Sequence, residues 1–141
     1  MSAFAAEPVR NPLKLARAWW RVVGAVLTLR LRPWASIGNS YAAHRAVVTP
    51  AATPERWQTR ANELRAAARL VPGAHCLARS LALLKWLRDS GVAAELRIGV
   101  LSEHGSVRSH SWVVLDGTVL DDDACNVARF QLIQGVSNGV A

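Results

Sequence analysis

Cys76, His110 and Asp122, in that order, have the chemistry of a thiol nucleophile, its base and the acid that orients the base. A cysteine attacks carbonyls only as a thiolate, so a catalytic one needs groups that favour loss of its proton. Cys76 falls at the start of an apolar run expected to be helical, where unpaired N–H groups and the positive helix end favour an anion and can also hold an oxyanion. Arg79, three residues on, shares that helical face and would add positive charge or bind a substrate carbonyl. Each residue alone has a plainer reading, since a lone cysteine is most often a small core residue and a lone histidine a satisfied structural one. Together the three point to acyl transfer, to an acceptor, water or an amine, that these residues do not name.

The acid depends on how the chain turns. His110 is expected to open a strand running to Leu115, followed by Asp116-Gly117 and a returning arm from Thr118 to Asp122. A three-residue loop Leu115-Asp116-Gly117, with Gly117 left-handed, pairs Val114 with Thr118 and sets His110 directly opposite Asp122. A two-residue type I′ turn at Asp116-Gly117 instead puts Asp121 and Asp123 on the histidine's face and points Asp122 away. The run Asp121-Asp122-Asp123 also has the plain reading of a solvated strand end.

The elements that must position these residues begin with helices. Leu13 to Leu31 is expected to be a helix with Leu13, Ala16, Trp20, Val23 and Leu27 as its apolar stripe and Lys14, Arg17 and Arg21 as a basic one. Pro33 ends it, and Arg32 to Thr53 is expected to be a connector holding at most a short helix around Tyr41 to Val48. Thr53-Pro54-Glu55 supplies an N-cap, a proline at the first helical position and an acid in the first turn. The helix it opens runs to about Leu70 with Trp57, Ala61, Leu64 and Ala68 inside and Arg60, Arg65 and Arg69 mostly outside. Val71-Pro72-Gly73 breaks that helix, and Leu77 to Ser90, stopped by Gly91, is expected to be the central buried one. Ala94 to Leu101 alternates as a strand does, Ser102 to Ser109 is expected to be a polar loop, and Ala124 to Ala141 a frayed end. Helices first, then a cysteine-bearing helix, then a small antiparallel sheet make an α+β arrangement.

Composition narrows the class. The 141 residues fit one domain, with residues 1–50 a basic helical segment and residues 51–141 the part that carries the chemistry. Of the net charge of +7, residues 1–50 carry +6 and the rest +1. Charge confined to one segment suggests a docking face rather than a nucleic-acid reading surface, and no nucleic-acid motif is present. An anionic membrane face is a second use for such a helix, but packing on the domain is the commoner one, and membrane association is not expected. The first residues lack the pattern of a signal peptide, and Cys76 and Cys125 make no disulfide framework, so a cytoplasmic protein is expected. Zinc on His75, Cys76, His104, His110 or Cys125 is a weaker reading, because no pair has the short spacing of a metal site. No nucleotide loop occurs, and no cofactor is expected. A non-enzymatic binding module would rest on the basic segment with Trp19, Trp20 and Trp34. Gln58 is the nearest side chain upstream of Cys76 that could serve as an oxyanion donor, and nothing else singles it out.

Cys76-Leu77-Ala78-Arg79-Ser80-Leu81, Gly91, Leu96 to Val100, His110-Ser111-Trp112-Val113 and Asp116 to Asp122 together resemble the transglutaminase-like maturation protease of lasso-peptide biosynthesis. The resemblance covers Val71 to Asp123 and departs at Asp121, where asparagine or another polar residue is expected. It implies a transglutaminase and papain type of fold, a Cys76, His110, Asp122 triad and, with it, the three-residue hairpin loop. It also implies a peptidase that removes the leader from a ribosomally made precursor peptide, so that a separate cyclase can close the ring. Some members of that family carry a fused leader-recognition domain. The helical character of the residues before Cys76 implies instead a separate leader-binding protein as partner in a bacterial cytoplasm. Lys14, Arg17 and Arg21 are then candidates for docking that partner or an acidic leader. An acyl- or aminotransferase on the same fold would use the same triad.

Overall fold

A computed structural model describes residues 10–43 and 53–137. Four helices come first: α1 (Pro12–Leu31), α2 (Trp34–Ala43), α3 (Pro54–Ala68) and α4 (Cys76–Asp89). They are followed by β1 (Glu95–Glu103), β2 (Ser106–Leu115), β3 (Thr118–Val119), the single-turn α5 (Ala124–Val127) and β4 (Gln131–Ser137). The strands form one antiparallel sheet in the order β3-β2-β1-β4. The fold is α+β.

Helix α4 is the centre of the core because its sequence is apolar almost all round. Leu83, Leu84 and Leu87 are fully buried, α1 and α3 pack on it from one side, and β2 packs on it from the other through Val113 and Leu115. Full burial of a leucine stabilises by about 1.5–3 kcal/mol, so this layer fixes where the first residue of α4, Cys76, meets the sheet. The expected inner stripe of α3 is also the observed one, with Trp57, Ala61, Leu64 and Ala68 buried. Thr53 occupies the N-cap position, but its side chain makes no cap bond. Proline and Glu55 in the first turn are left to favour the start.

The buried face of α1 is not the expected one. Ala18, Val22, Ala25 and Val26 are buried, whereas Leu13, Trp20, Leu27 and Leu31 are 79%, 67%, 50% and 80% exposed. The helix is apolar on most of its circumference, so periodicity does not select a face. The small side chains do, by letting α1 approach α3 and α4 closely.

Three stretches expected to be irregular are ordered elements. Pro33 both follows α1 and opens α2, whose first bond runs from Ile37 N–H to the Pro33 carbonyl (3.2 Å). Of the expected helix around Tyr41 to Val48, the first residues close α2 and those from 44 on lie outside the described residues. Ser102 to Ser109 is the tip of the β1–β2 hairpin, which turns at His104 and Gly105 with φ of 52° and 77°. His110 is therefore inside β2 rather than at its start. Gln131–Ser137 is β4, an edge strand on β1 in which Val136 alone is buried, so its sequence lacks the alternation of a half-buried strand. Among the described residues no helix is long and apolar enough to cross a membrane.

Candidate active site

The turn after β2 is the two-residue form. Asp116 and Gly117 have φ of 47° and 75°, and Leu115 pairs with Thr118 and Val114 with Val119. The three-residue loop implied by the family resemblance is therefore not present. Asp122 nevertheless reaches His110, because strand pairing stops at Val119, a last backbone bond runs from Leu120 N–H to the Val113 carbonyl (3.0 Å), and Asp121 to Asp123 bend away from the ladder. Beyond that point cross-strand register no longer dictates which way a side chain points.

Each of the three aspartates has its own partner. Asp122 Oδ2 bonds His110 Nε2, and its carboxylate also accepts from Asp123 N–H (2.7 Å) and Asn126 Nδ2 (3.2 Å). Asp121 is half-buried, accepting from Val113 N–H (2.8 Å) and from Ser80 Oγ (3.0 Å), which in turn accepts from Ser111 Oγ (3.1 Å). Asp123 caps α5, accepting from Cys125 N–H (2.9 Å). Asp121 thus ties the bend to both β2 and α4, and Arg65 adds a bond to its backbone carbonyl (2.7 Å). That clamp holds Asp122 against the histidine.

Cys76, His110 and Asp122 line one small cavity of about 30 Å³ together with Arg65 and Arg79. With Nε2 held by Asp122, Nδ1 is the ring nitrogen left for the thiol. Hydrogen bonding to His110 lowers the Cys76 thiol to about 7; burial opposes this, and Ser111 assists through its backbone and side chain. The Asp122 bond raises His110 to about 9, with Cys76 assisting and burial opposing. Burial pushes Asp122 up, but the bonds from His110, Asp123 N–H and Asn126 outweigh it and hold its carboxyl below the usual range. Burial pushes Asp121 the other way, above that range, in spite of its bonds from Val113 and Ser80. Between about pH 7 and 9 the cysteine and histidine are therefore a thiolate and imidazolium pair.

The first intrahelical bond of α4 runs from Arg79 N–H to the His75 carbonyl (3.2 Å). The amides of Cys76, Leu77 and Ala78 precede it and are the donors a helix start offers to an oxyanion. Gln58 is committed elsewhere, donating to the Val119 carbonyl (3.3 Å). Phe130 and Trp112 pack against the His110 ring at centroid distances of 5.3 and 6.1 Å. Trp112 belongs to the motif that carries the family resemblance, whereas Phe130 is not singled out by the sequence, because it enters through the unforeseen approach to β4.

A family model described as the transglutaminase-like superfamily matches residues 18–135. The chain belongs to the transglutaminase-like superfamily. Members of that superfamily are generally cysteine-dependent proteases or acyltransferases, and the cavity places a cysteine where that chemistry needs it. No curated protein and no solved structure gives a significant match.

The other candidate residues lie elsewhere on this transglutaminase-like fold. Arg17 pairs with the buried Glu63 (3.4 Å) and Arg21 with Asp89 (3.3 Å), and both guanidinium groups, with that of Arg60, lie over the Trp86 ring. They tie α1 to α3 and α4. Lys14 is exposed on the first turn of α1. Among the described residues no three His, Cys, Asp or Glu side chains gather as metal ligands.

Proposed function

We propose that this protein is a cysteine peptidase that removes the leader from a ribosomally made lasso-peptide precursor. The observation that carries the reading is the shared cavity of Cys76, His110 and Asp122, with a thiol lowered to about 7 beside an imidazole raised to about 9. The motif resemblance over Val71 to Asp123 supplies the substrate. In this reading the Cys76 thiolate attacks the scissile carbonyl, forming an S–C bond, and the oxyanion is held by α4 amides. Collapse breaks the C–N bond as the His110 imidazolium gives its proton to the departing amine. Water, deprotonated by His110, then releases the carboxylic acid and restores the thiolate.

The reading includes a separate leader-binding protein as partner, a cyclase acting afterwards, and a bacterial cytoplasm in which the free thiols of Cys76 and Cys125 persist. The partner's place is the outer face of α1, where exposed Leu13, Trp20, Leu27 and Leu31 run beside Lys14, while Arg17 and Arg21 are engaged by Glu63 and Asp89. Such a face suits an apolar ridge edged with acids. Charge reversal at Lys14 is expected to weaken partner-dependent cleavage, read as product formed against partner concentration. An unchanged curve removes this dock.

Mass spectrometry of a precursor peptide incubated with the enzyme and its leader-binding partner tests the function. Loss of the leader mass, abolished by Cys76→Ala, is the expected result. Gain of an acyl or amine adduct instead would make the protein a transferase, and an intact peptide would end the reading.

A further inference from the structure

Two buried hydroxyls join the nucleophile to an aspartate that the proposed reaction leaves unused. Ser111 hydrogen-bonds Cys76 through its backbone and its side chain, and both bonds favour the thiolate. Ser111 Oγ lies 3.1 Å from Ser80 Oγ, which lies 3.0 Å from Asp121 Oδ2. Ser80 and Ser111 are 1% and 4% exposed, so water does not stand in for either neighbour. All four residues line the catalytic cavity. A serine hydroxyl has a single proton to give, so the run is consistent in either of two directions. With Asp121 ionised, Ser80 donates to it, Ser111 donates to Ser80, and Ser111 turns a lone pair to the sulfur, which suits a thiol. With Asp121 protonated every bond reverses: the acid donates to Ser80, Ser80 to Ser111 and Ser111 to the sulfur, which suits a thiolate. Oδ2, facing Ser80, is the oxygen that takes the proton, because Oδ1 accepts from Val113 N–H (2.8 Å).

We infer, resting on Cys76 as the nucleophile of the proposed reaction but not on its substrate, that Asp121 works as a neutral acid in the reactive enzyme and, through Ser80, makes the Ser111 hydroxyl the donor that holds the Cys76 thiolate. Ser111 touches the reacting sulfur, whereas Ser80 and Asp121 are positioning residues. The charged and titratable groups around Asp121 are Arg65 on α3, Cys76 and Arg79 on α4, His110 on β2 and the neighbouring Asp122. The Asp122 carboxylate and the thiolate favour a neutral Asp121, and so does burial. The guanidinium and imidazolium groups act the other way, but Arg65 is engaged at the Asp121 backbone carbonyl (2.7 Å) and His110 at Asp122. The net direction is upward from the usual carboxylate range. Thiolate and neutral acid therefore stabilise each other across the two hydroxyls.

Two readouts test it without a substrate, both on a Cys125→Ser background so that Cys76 is the reporting thiol. The first is the infrared carbonyl band of a protonated carboxyl at about pH 8, where ordinary carboxyls are ionised. The band is expected in the unaltered protein and absent in Asp121→Asn. Alkylating Cys76 with iodoacetamide removes the thiolate and is expected to shift the band, and Ser80→Ala, which cuts the run, to abolish that shift. The second readout is ultraviolet titration of the thiolate. Ser111→Ala is expected to raise the midpoint by about one to two units, the worth of a hydrogen bond to a charged group. Asp121→Asn is expected to leave the midpoint near 7, because its amide nitrogen donates to Ser80 permanently while its oxygen keeps the Val113 bond. No protonated carboxyl band, or an unmoved midpoint in Ser111→Ala, overturns the inference. An Asp121→Asn midpoint raised as far as that of Ser111→Ala means that the carboxylate serves the thiolate, and overturns it as well. Protein that gives the expected band and shifts but cuts no precursor keeps the neutral acid and loses the peptidase reading.

Discussion

His110 determines what the other two members of the constellation do. Its bond to Asp122 raises it to about 9, and its bond to the thiol lowers Cys76 to about 7. Catalysis needs the cysteine deprotonated, which holds above about 7, and the histidine protonated, which fails above about 9. The kcat/KM profile is therefore expected to rise near the lower value and fall near the upper one. Asp122→Asn removes the charge that raises His110, so the alkaline limb should move to lower pH and kcat/KM should fall by about a hundred- to ten-thousandfold. An unchanged alkaline limb would remove Asp122 from the account. Cys76 and His110 were legible in the sequence because a helix start and a strand flanking a turn are local features. Asp122 was not secured that way, since either hairpin register assumed that pairing continues to it. Pairing ends at Val119, and the bonds of Asp121 to Val113 and Ser80 place its neighbour instead.

At the scale of elements, the sheet brings the histidine and its aromatic wall together at Gly99. Gly99 pairs with His110, and β1 shifts register against β4 between Ile98 and Gly99. A Cβ at Gly99 would come within 2.9 Å of Phe130 and Trp112 and 3.0 Å of the Gln131 carbonyl, a space that backbone on one side cannot yield cheaply. Gly99→Ala is expected to destabilise by about 1–3 kcal/mol, measured as a lower urea midpoint, and to lower activity further by moving the ring stack off His110. The glycine was visible in the sequence but its reason was not. That reason lies in β4, whose exposed side chains follow no half-buried pattern. The hairpin tip was hidden likewise, since Ser106 to Ser109 project beyond the core and stay exposed on both faces, Val107 included.

For the whole molecule, the core and the outer face of α1 separate stability from association. Leu84 is fully buried and Leu31 is 80% exposed. Leu84→Ala is expected to cost about 2–5 kcal/mol, whereas Leu31→Ala should stay within about 0.5 kcal/mol, both read by denaturant titration. Equal losses would mean that Leu31 is covered within the folded chain. The α+β order of elements was legible from composition and breakers such as Pro33, Pro72 and Gly91. The face α1 buries was not, because Leu13, Trp20 and Leu27 are larger and more apolar than Ala18, Val22 and Ala25, and it is the smaller set that permits close helix packing.

The central claim is that His110 holds Cys76 as a thiolate near neutral pH. Ultraviolet titration of the thiolate in Cys125→Ser protein, with and without His110→Ala, tests it most directly. The account predicts a midpoint near 7 with the histidine present and a return toward the ordinary cysteine range near 9 without it. A midpoint in the ordinary range for the protein with His110 intact, or one that the substitution leaves in place, would contradict it.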